Sequence, residues 1–295
     1  MHTKPLVAVV GETASGKSAL ALKLARYFDG ELICADSWTV YKGFDIGAAK
    51  PSAAEQAEVR HHLLDVARPE DGFNAVEFQK LANMAIADIQ SRGKMPVLVG
   101  GTGLYIDSVL YNYQFLPATS EVVRQELNSL SLLELQQKAE HLKLSTEGID
   151  TQNKRRLIRL IENDGQRPSK GQLRDNTLVL GIQVDREHLL QRVVQRVDTM
   201  LAEGLEAEVK SLSEAYGWDV EAMKGIGYRE WKPYFMPMPE LHQDLEQTRQ
   251  RIISATMGLA KRQRTWFKRN DRIHWLQQVN TMANAVELVT TISSK

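Results

Sequence analysis

An α/β fold with a parallel central sheet is what this sequence predicts, on three observations. Short apolar runs recur as candidate strands: PLVAVV (5–10), ELICA (31–35), MPVLVG (95–100), TLVLGIQV (177–184) and RIHWL (272–276). Segments with helical periodicity separate the first three, as in FQKLANMAIADIQSRG (78–93), which ends on a glycine stop signal. The first strand also runs straight through a glycine-bounded loop into a helix. Alternation of this kind implies parallel strands with helices on both faces.

The loop after the first strand reads Gly11-Glu12-Thr13-Ala14-Ser15-Gly16-Lys17-Ser18, and the apolar-periodic ALALKLARYF follows at once. Strand, GxxxxGK[ST] and helix in that order form the context of a phosphate-binding P-loop, so the sheet is expected to be P-loop NTPase-like. Gly11 and Gly16 let the chain fold back and bring backbone N–H groups to phosphate oxygens. The helix N-terminus points its partial positive charge at the same spot. Lys17 supplies a full charge, and the Ser18 hydroxyl is placed to ligate Mg²⁺. The expected ligand is a di- or triphosphate with a divalent metal.

Two further loops follow strand ends. The second strand ends in Ala35-Asp36-Ser37 and continues Trp38-Thr39-Val40-Tyr41. An aspartate there serves a metal or acts as a base; Asp-Ser is equally good capping chemistry. The third strand ends in Val99-Gly100-Gly101-Thr102-Gly103-Leu104-Tyr105. Its glycines allow backbone to approach a ligand and Thr102 offers a hydroxyl, although a tight strand-to-helix turn needs the same residues. Ligands of parallel sheets sit beyond the carboxyl ends of the strands, so the three loops should converge on one crevice.

Residues 117–174 break the alternation. They are helical in pattern and strand-free, which predicts a small insertion entered near Pro117 and left near Gly171, with 1–116 and 175–295 forming the core. Residues 186–270 are mostly helical in pattern, and PYFMPMPEL (233–241) reads as a proline-interrupted loop. The chain has 295 residues, with 37 basic residues balancing 37 acidic ones, so no global field draws it to a polyanion. The cations are concentrated locally, however. Residues 153–174 carry seven against two acids, and 261–272 carry six, including Lys261, Arg262 and Arg264, against one. Either segment alone suits a solvated helix face. Together, beside a phosphate site, they favour RNA. The single cysteine, Cys34, can form neither an internal disulfide nor a zinc site and reads as a small buried hydrophobe. No apolar stretch is long enough for a membrane span, and MHTKP enters the first strand within a few residues. A cytoplasmic, monomeric protein is the expectation.

These motifs resemble a known family. GETASGKS, Asp36-Ser37-x-x-x-Tyr41, DIGAAKP (45–51), HHLLDV (61–66) and VGGTGLY (99–105) occur in the order and spacing of tRNA dimethylallyltransferases. QRVVQRVDTMLAEGLEAEV (191–209), KGIGYRE (224–230) and AKRQRTWF (260–267) are similar to that family's C-terminal blocks. The resemblance covers most of the chain and is thinnest at 117–152. It implies transfer of a dimethylallyl group from dimethylallyl diphosphate to N6 of adenosine 37 in the tRNA anticodon stem-loop. Gly11, Glu12, Thr13, Ala14, Ser15, Gly16, Lys17 and Ser18 would hold the diphosphate with Mg²⁺, and Arg196 would reach it. Asp36 would act as base and Thr102 would position the reacting groups. Asp36, Ser37, Trp38 and Thr39 would touch the everted base and its neighbours. Arg124, Arg155, Arg156, Leu157, Ile158 and Arg159, with Lys224, Gly225, Ile226, Gly227, Tyr228 and Arg229, would clamp the stem-loop beside Lys261 and Arg262. The sequence departs from the family at Met257, where an arginine is usual, and at Lys154, where proline is frequent. A small-molecule or nucleoside kinase would explain the P-loop without the basic segments, and a non-catalytic RNA-binding relative would explain the reverse.

Overall fold

The computed structural model describes residues 3–117, 119–236, 244–277 and 280–294. Two compact units emerge, one from the residues up to Leu110 together with those from Leu173 onward, the other Tyr111–Gln172. In the larger unit the elements run β1 (Leu6–Gly11), α1 (Lys17–Tyr27), β2 (Gly30–Ala35), α2 (Ala53–Glu58), β3 (His61–His62), α3 (Ala75–Ser91), β4 (Met95–Gly100) and α4 (Gly103–Leu110). The smaller unit holds α5 (Glu121–Ser129), α6 (Leu132–His141) and α7 (Lys154–Glu162). The larger unit resumes with β5 (Thr177–Ile182), α8 (Arg186–Ala202), α9 (Leu205–Tyr216), α10 (Lys232–Phe235), α11 (Leu245–Phe267), β6 (Ile273–Leu276) and α12 (Thr281–Ser293).

The sheet has the order β3-β2-β4-β1-β5-β6 with every pairing parallel. The expected strands are all present, within two residues at each end. β3, only two residues long, carries no period for the sequence to display. Helix α3 starts three residues before its expected boundary because Asn74 caps it. The Asn74 side chain accepts from the Val76 and Glu77 N–H groups, and Glu77 returns a bond to the Asn74 backbone.

β1 and β4 are buried along their whole length, as a parallel sheet with both faces covered requires. Val7, Val9, Leu32, Val97, Leu178 and Leu180 pack with Leu20 and Leu24 of α1 and Ala285 and Val289 of α12. The connection from β3 to β4 runs opposite in direction to that from β1 to β2, so a right-handed crossover puts α3 on the other face. A second cluster lies among the C-terminal helices. There Val40, Tyr41 and Phe44, just beyond β2, are enclosed by Val193 and Val197 of α8, Val209 of α9, Ile252 of α11, Tyr228 and Trp231. This cluster fixes the segment after Asp36. Of PYFMPMPEL, expected as a loop, Pro233–Phe235 belong to α10, where proline sits in the first turn and loses no helical bond; residues 237–241 lie outside the described residues.

The smaller unit packs α5, α6 and α7 around Leu127, Leu135, Ala139, Leu157, Ile158 and Ile161. Its ends lie at Tyr111 and Gln172 rather than at 117 and 174, because the Gly171 N–H donates to the Tyr111 carbonyl at 2.9 Å and Gln114 bridges to Ser169. Leu157 and Ile158, expected in an RNA contact, are interior residues of α7 at 0% and 2% exposure. Arg155 and Arg156 occupy its exposed face. Arg124 and Arg159 both pair with the buried Glu162 carboxylate, which ties α5 to α7 and gives these two cations a structural partner.

Candidate active site

The P-loop leaves β1 at Gly11 and enters α1 at Lys17. Gly16 caps the helix at φ +95°, a left-handed conformation that a side chain would strain, and no side chain caps the first turn. The opening amides of α1 therefore face outward as donors. The Lys17 Nζ donates to the Glu12 carbonyl at 3.1 Å. Burial and the nearby Arg196 guanidinium pull the Lys17 ammonium down to about 8, with Asp36 and Glu12 opposing the shift. The Arg196 guanidinium is itself lowered by burial and donates to Thr13 Oγ1 at 3.1 Å. Four residues before it on α8, Arg192 donates to the Ser15 carbonyl at 3.1 Å.

The other two loops meet the P-loop as expected. Asp36 follows β2, and its Oδ1 accepts the Trp38 N–H at 2.8 Å in a short turn. Among the described residues, its Oδ2 has no protein partner. The hydroxyls of Ser37 and Thr102 lie 3.4 Å apart, and the Thr102 N–H donates to the Ala35 carbonyl at 3.3 Å. The three loops border two cavities. One, of about 540 Å³, is lined by Lys17, Ser18, Cys34, Thr39 and Arg192 among others. The other, of about 370 Å³, is lined by Ser37, Trp38, Thr102, Lys224, Arg262 and Trp266 among others. Thr13, Asp36, Arg196 and Gln263 belong to both walls. The partly buried Arg196 and the Asp36 carboxylate thus stand where the more polar cavity meets the more apolar one, and the partly buried Lys17 lines the more polar side.

α11 closes the site from the C-terminal side. The Thr13 N–H donates to Gln263 Oε1 at 2.8 Å, and Arg264 forks onto the Glu12 carboxylate. A Cβ at Gly101 would lie 2.3 Å from the Gln263 amide nitrogen, so only glycine admits that side chain. The Trp266 indole covers Gly103 and donates to Asp107 at 3.2 Å. Sequence reading missed Arg192, Gln263 and Arg264 as parts of the site. The i, i+4 spacing of Arg192 and Arg196 on α8 was the available signal for the first.

Several expected RNA residues turn inward. Tyr228 is 0% exposed; its hydroxyl donates to Glu208 and accepts the Ala48 N–H, holding the 45–49 loop. Thr39 is buried, and its hydroxyl has no hydrogen-bond partner among the described residues. Gly225 and Gly227 are also buried, and Gly225 lies under the Trp38 indole, whose Nε1–H donates to the Ala222 carbonyl at 2.8 Å. Lys224, Arg229, Lys261 and Arg262 are exposed, and Ile226 lines the second cavity. At the position where arginine was expected, Met257 packs between the two apolar clusters of the larger unit. Burial pushes the Cys34 thiol up to about 12, which suits the apolar role read from the sequence.

A family model described as IPP transferase matches residues 39–270. A tRNA dimethylallyltransferase of Anoxybacillus flavithermus is 41% identical over 286 residues, covering 93% of this chain and 91% of its own. The chain belongs to the IPP transferase family. A tRNA dimethylallyltransferase of Staphylococcus aureus is 39% identical, with 93% of each chain covered. The crystal structure of a full-length tRNA isopentenylpyrophosphate transferase from Bacillus halodurans superposes with a TM-score of 0.74 at 33% identity, over 99% of this chain and 96% of that one. A eukaryotic dimethylallyltransferase captured acting on tRNA gives a TM-score of 0.80 at 26% identity, over 97% of this chain and 78% of that one. Membership of this family does not favour the kinase or the non-catalytic RNA-binding alternative. Among the described residues no helix is long and apolar enough to cross a membrane.

Proposed function

We propose that this protein transfers a dimethylallyl group from dimethylallyl diphosphate to N6 of adenosine 37 in the anticodon stem-loop of tRNA, releasing pyrophosphate. The observation that carries the reading is the wall shared by the two cavities, which holds Asp36 and Arg196, with Lys17 lining the more polar cavity and Asp36 acting electrostatically on both cations. The diphosphate takes the polar cavity, on the amides opening α1 and on both cations. The everted purine takes the other, beside Ser37, Trp38 and Thr102. Eversion costs a few kcal/mol of stacking, which the new contacts must offset. As the C1–O bond breaks, its electron pair leaves on the diphosphate, where Lys17, Arg196 and the loop amides stabilise the growing charge. The N6–C1 bond forms, and the N6 proton passes to the free Oδ2 of Asp36. Ser37 and Thr102 present hydroxyls beside the reacting amine.

The metal donor that the P-loop itself offers is the Ser18 hydroxyl, which lines the first cavity; substrate phosphate oxygens and water would complete its set. That set suits a hard cation such as Mg²⁺, which keeps most of its ligands as water and substrate phosphate. Bound there, the ion would neutralise charge on the leaving diphosphate.

The test is incubation of the purified chain with labelled dimethylallyl diphosphate and total tRNA, followed by nucleoside analysis. Label in N6-dimethylallyladenosine is the expected result; ATP turnover without RNA and no labelled nucleoside would overturn the reading. On the acceptor side, a methyl group at Gly225 would meet the Trp38 indole nitrogen at 2.0 Å. Overpacking of this kind costs about 1–3 kcal/mol, so Gly225→Ala should lower kcat/KM for RNA about tenfold. The KM for the diphosphate should not move, as steady-state kinetics with each substrate varied in turn would show.

A further inference from the structure

Two consecutive residues of the P-loop are gripped by two consecutive residues of α11. Gln263 takes the Thr13 N–H, and Arg264 takes the Glu12 carboxylate through Nε and Nη2. Arg264 also donates to the Val184 carbonyl at 2.9 Å, just past β5, so its guanidinium is anchored at a third point. The Glu12 side chain is 7% exposed. It is an acid built into a loop that has to accept an anion, and its own backbone carbonyl holds Lys17.

We propose that Arg264 is a positioning residue for the diphosphate half of the site: it neutralises Glu12 and keeps that carboxylate turned away from Lys17. The inference rests on the reading of the P-loop as the diphosphate site. Arg264 lies inside the basic segment 261–272 that the sequence assigned to RNA phosphates, yet its fork is committed to the protein. Without it, a buried, unpaired Glu12 carboxylate competes with the diphosphate for the Lys17 ammonium and repels the incoming charge. Arg264 therefore acts through Glu12 and Lys17, without touching substrate.

The test is a double-mutant cycle on the full chain with dimethylallyl diphosphate and an anticodon-arm RNA. Arg264→Leu should raise the KM for the diphosphate at least about tenfold, as expected for leaving the buried Glu12 carboxylate without its partner. RNA affinity should stay within about twofold, since no phosphate contact is lost. Glu12→Gln combined with Arg264→Leu should regain most of the loss, because the neutral amide no longer competes for Lys17. If the double variant is no better than Arg264→Leu, or if Arg264→Leu alters RNA affinity instead of the diphosphate KM, the proposal fails. Should Arg264→Leu not fold, the double variant is read against Glu12→Gln, and a large remaining diphosphate defect overturns the proposal. A wild-type chain that forms no prenylated nucleoside refutes the functional reading itself; an active wild type with no rescue refutes only the role of Arg264.

Discussion

Asp36→Asn is expected to remove about 10²–10⁴ of kcat, the usual contribution of a positioned general base, while leaving RNA affinity within about threefold. Asparagine is the informative replacement. Its carbonyl still accepts the Trp38 N–H that fixes the turn, so Ser37 and Trp38 stay in place. Only the proton acceptor is lost. Asp36→Ala should lose at least as much turnover and weaken RNA binding as well, because the turn loses its bond. Single-turnover kinetics with pre-bound RNA separate the two effects. Turnover of Asp36→Asn within a few-fold of the wild type would remove Asp36 from the proton-transfer step. A second signature is available in the residual activity. Asp36 is one of the charges that hold the Lys17 ammonium protonated against burial and Arg196. Its neutralisation should therefore move the alkaline limb of the pH profile to lower pH.

How far the sequence exposed this site follows from how local each signal is. The P-loop, the Asp36 turn and the Gly100–Gly103 turn are contiguous motifs at strand ends, and a parallel sheet brings strand ends together whatever the rest of the chain does. The residues that brace them are not contiguous. Glu12 and Arg264 are separated by 252 positions, and Thr13 and Gln263 by 250. No periodicity in either segment reports on the other. The inward turn of Leu157, Ile158 and Tyr228 was obscured for a different reason. They belong to contiguous motif blocks, whereas a helix displays only part of its circumference. On α7 the pattern KRRLIRLIE places arginines and aliphatics on opposite faces. Applied residue by residue, that period separates Arg155 and Arg156 from Leu157 and Ile158 without coordinates. Tyr228 and Gly225 offer no such pattern. Their burial depends on packing with Phe44, Glu208 and Trp38, which only the tertiary fold assembles.

Lys17→Met should weaken diphosphate binding by about 10²–10³-fold, the scale of losing one preorganised donor to a developing anion in a water-poor site. The same substitution should stabilise the ligand-free protein at neutral pH. Burial lowers the Lys17 pKa from 10.5 to about 8 in the folded chain, so the unfolded chain binds the proton more tightly. Below about pH 8 the ammonium is charged in both states, and the folded state bears the whole desolvation penalty. Between about 8 and 10.5 the folded chain has shed the proton while the unfolded chain retains it, and the penalty fades. The advantage of Lys17→Met in thermal or urea unfolding should accordingly be largest at pH 7 and shrink steadily toward pH 10. In the wild type, kcat/KM for the diphosphate should fall above about pH 8, as the free protein loses the charge that receives the substrate. A bound diphosphate restores that charge, so kcat at saturation should hold to higher pH than kcat/KM. A Lys17→Met chain that is less stable than the wild type at pH 7, or that binds the diphosphate unchanged, would mean that the ammonium supports the loop rather than waiting for an anion. The expected pattern, a more stable chain that no longer binds its substrate, is that of a site holding its charge at a structural disadvantage until the ligand arrives.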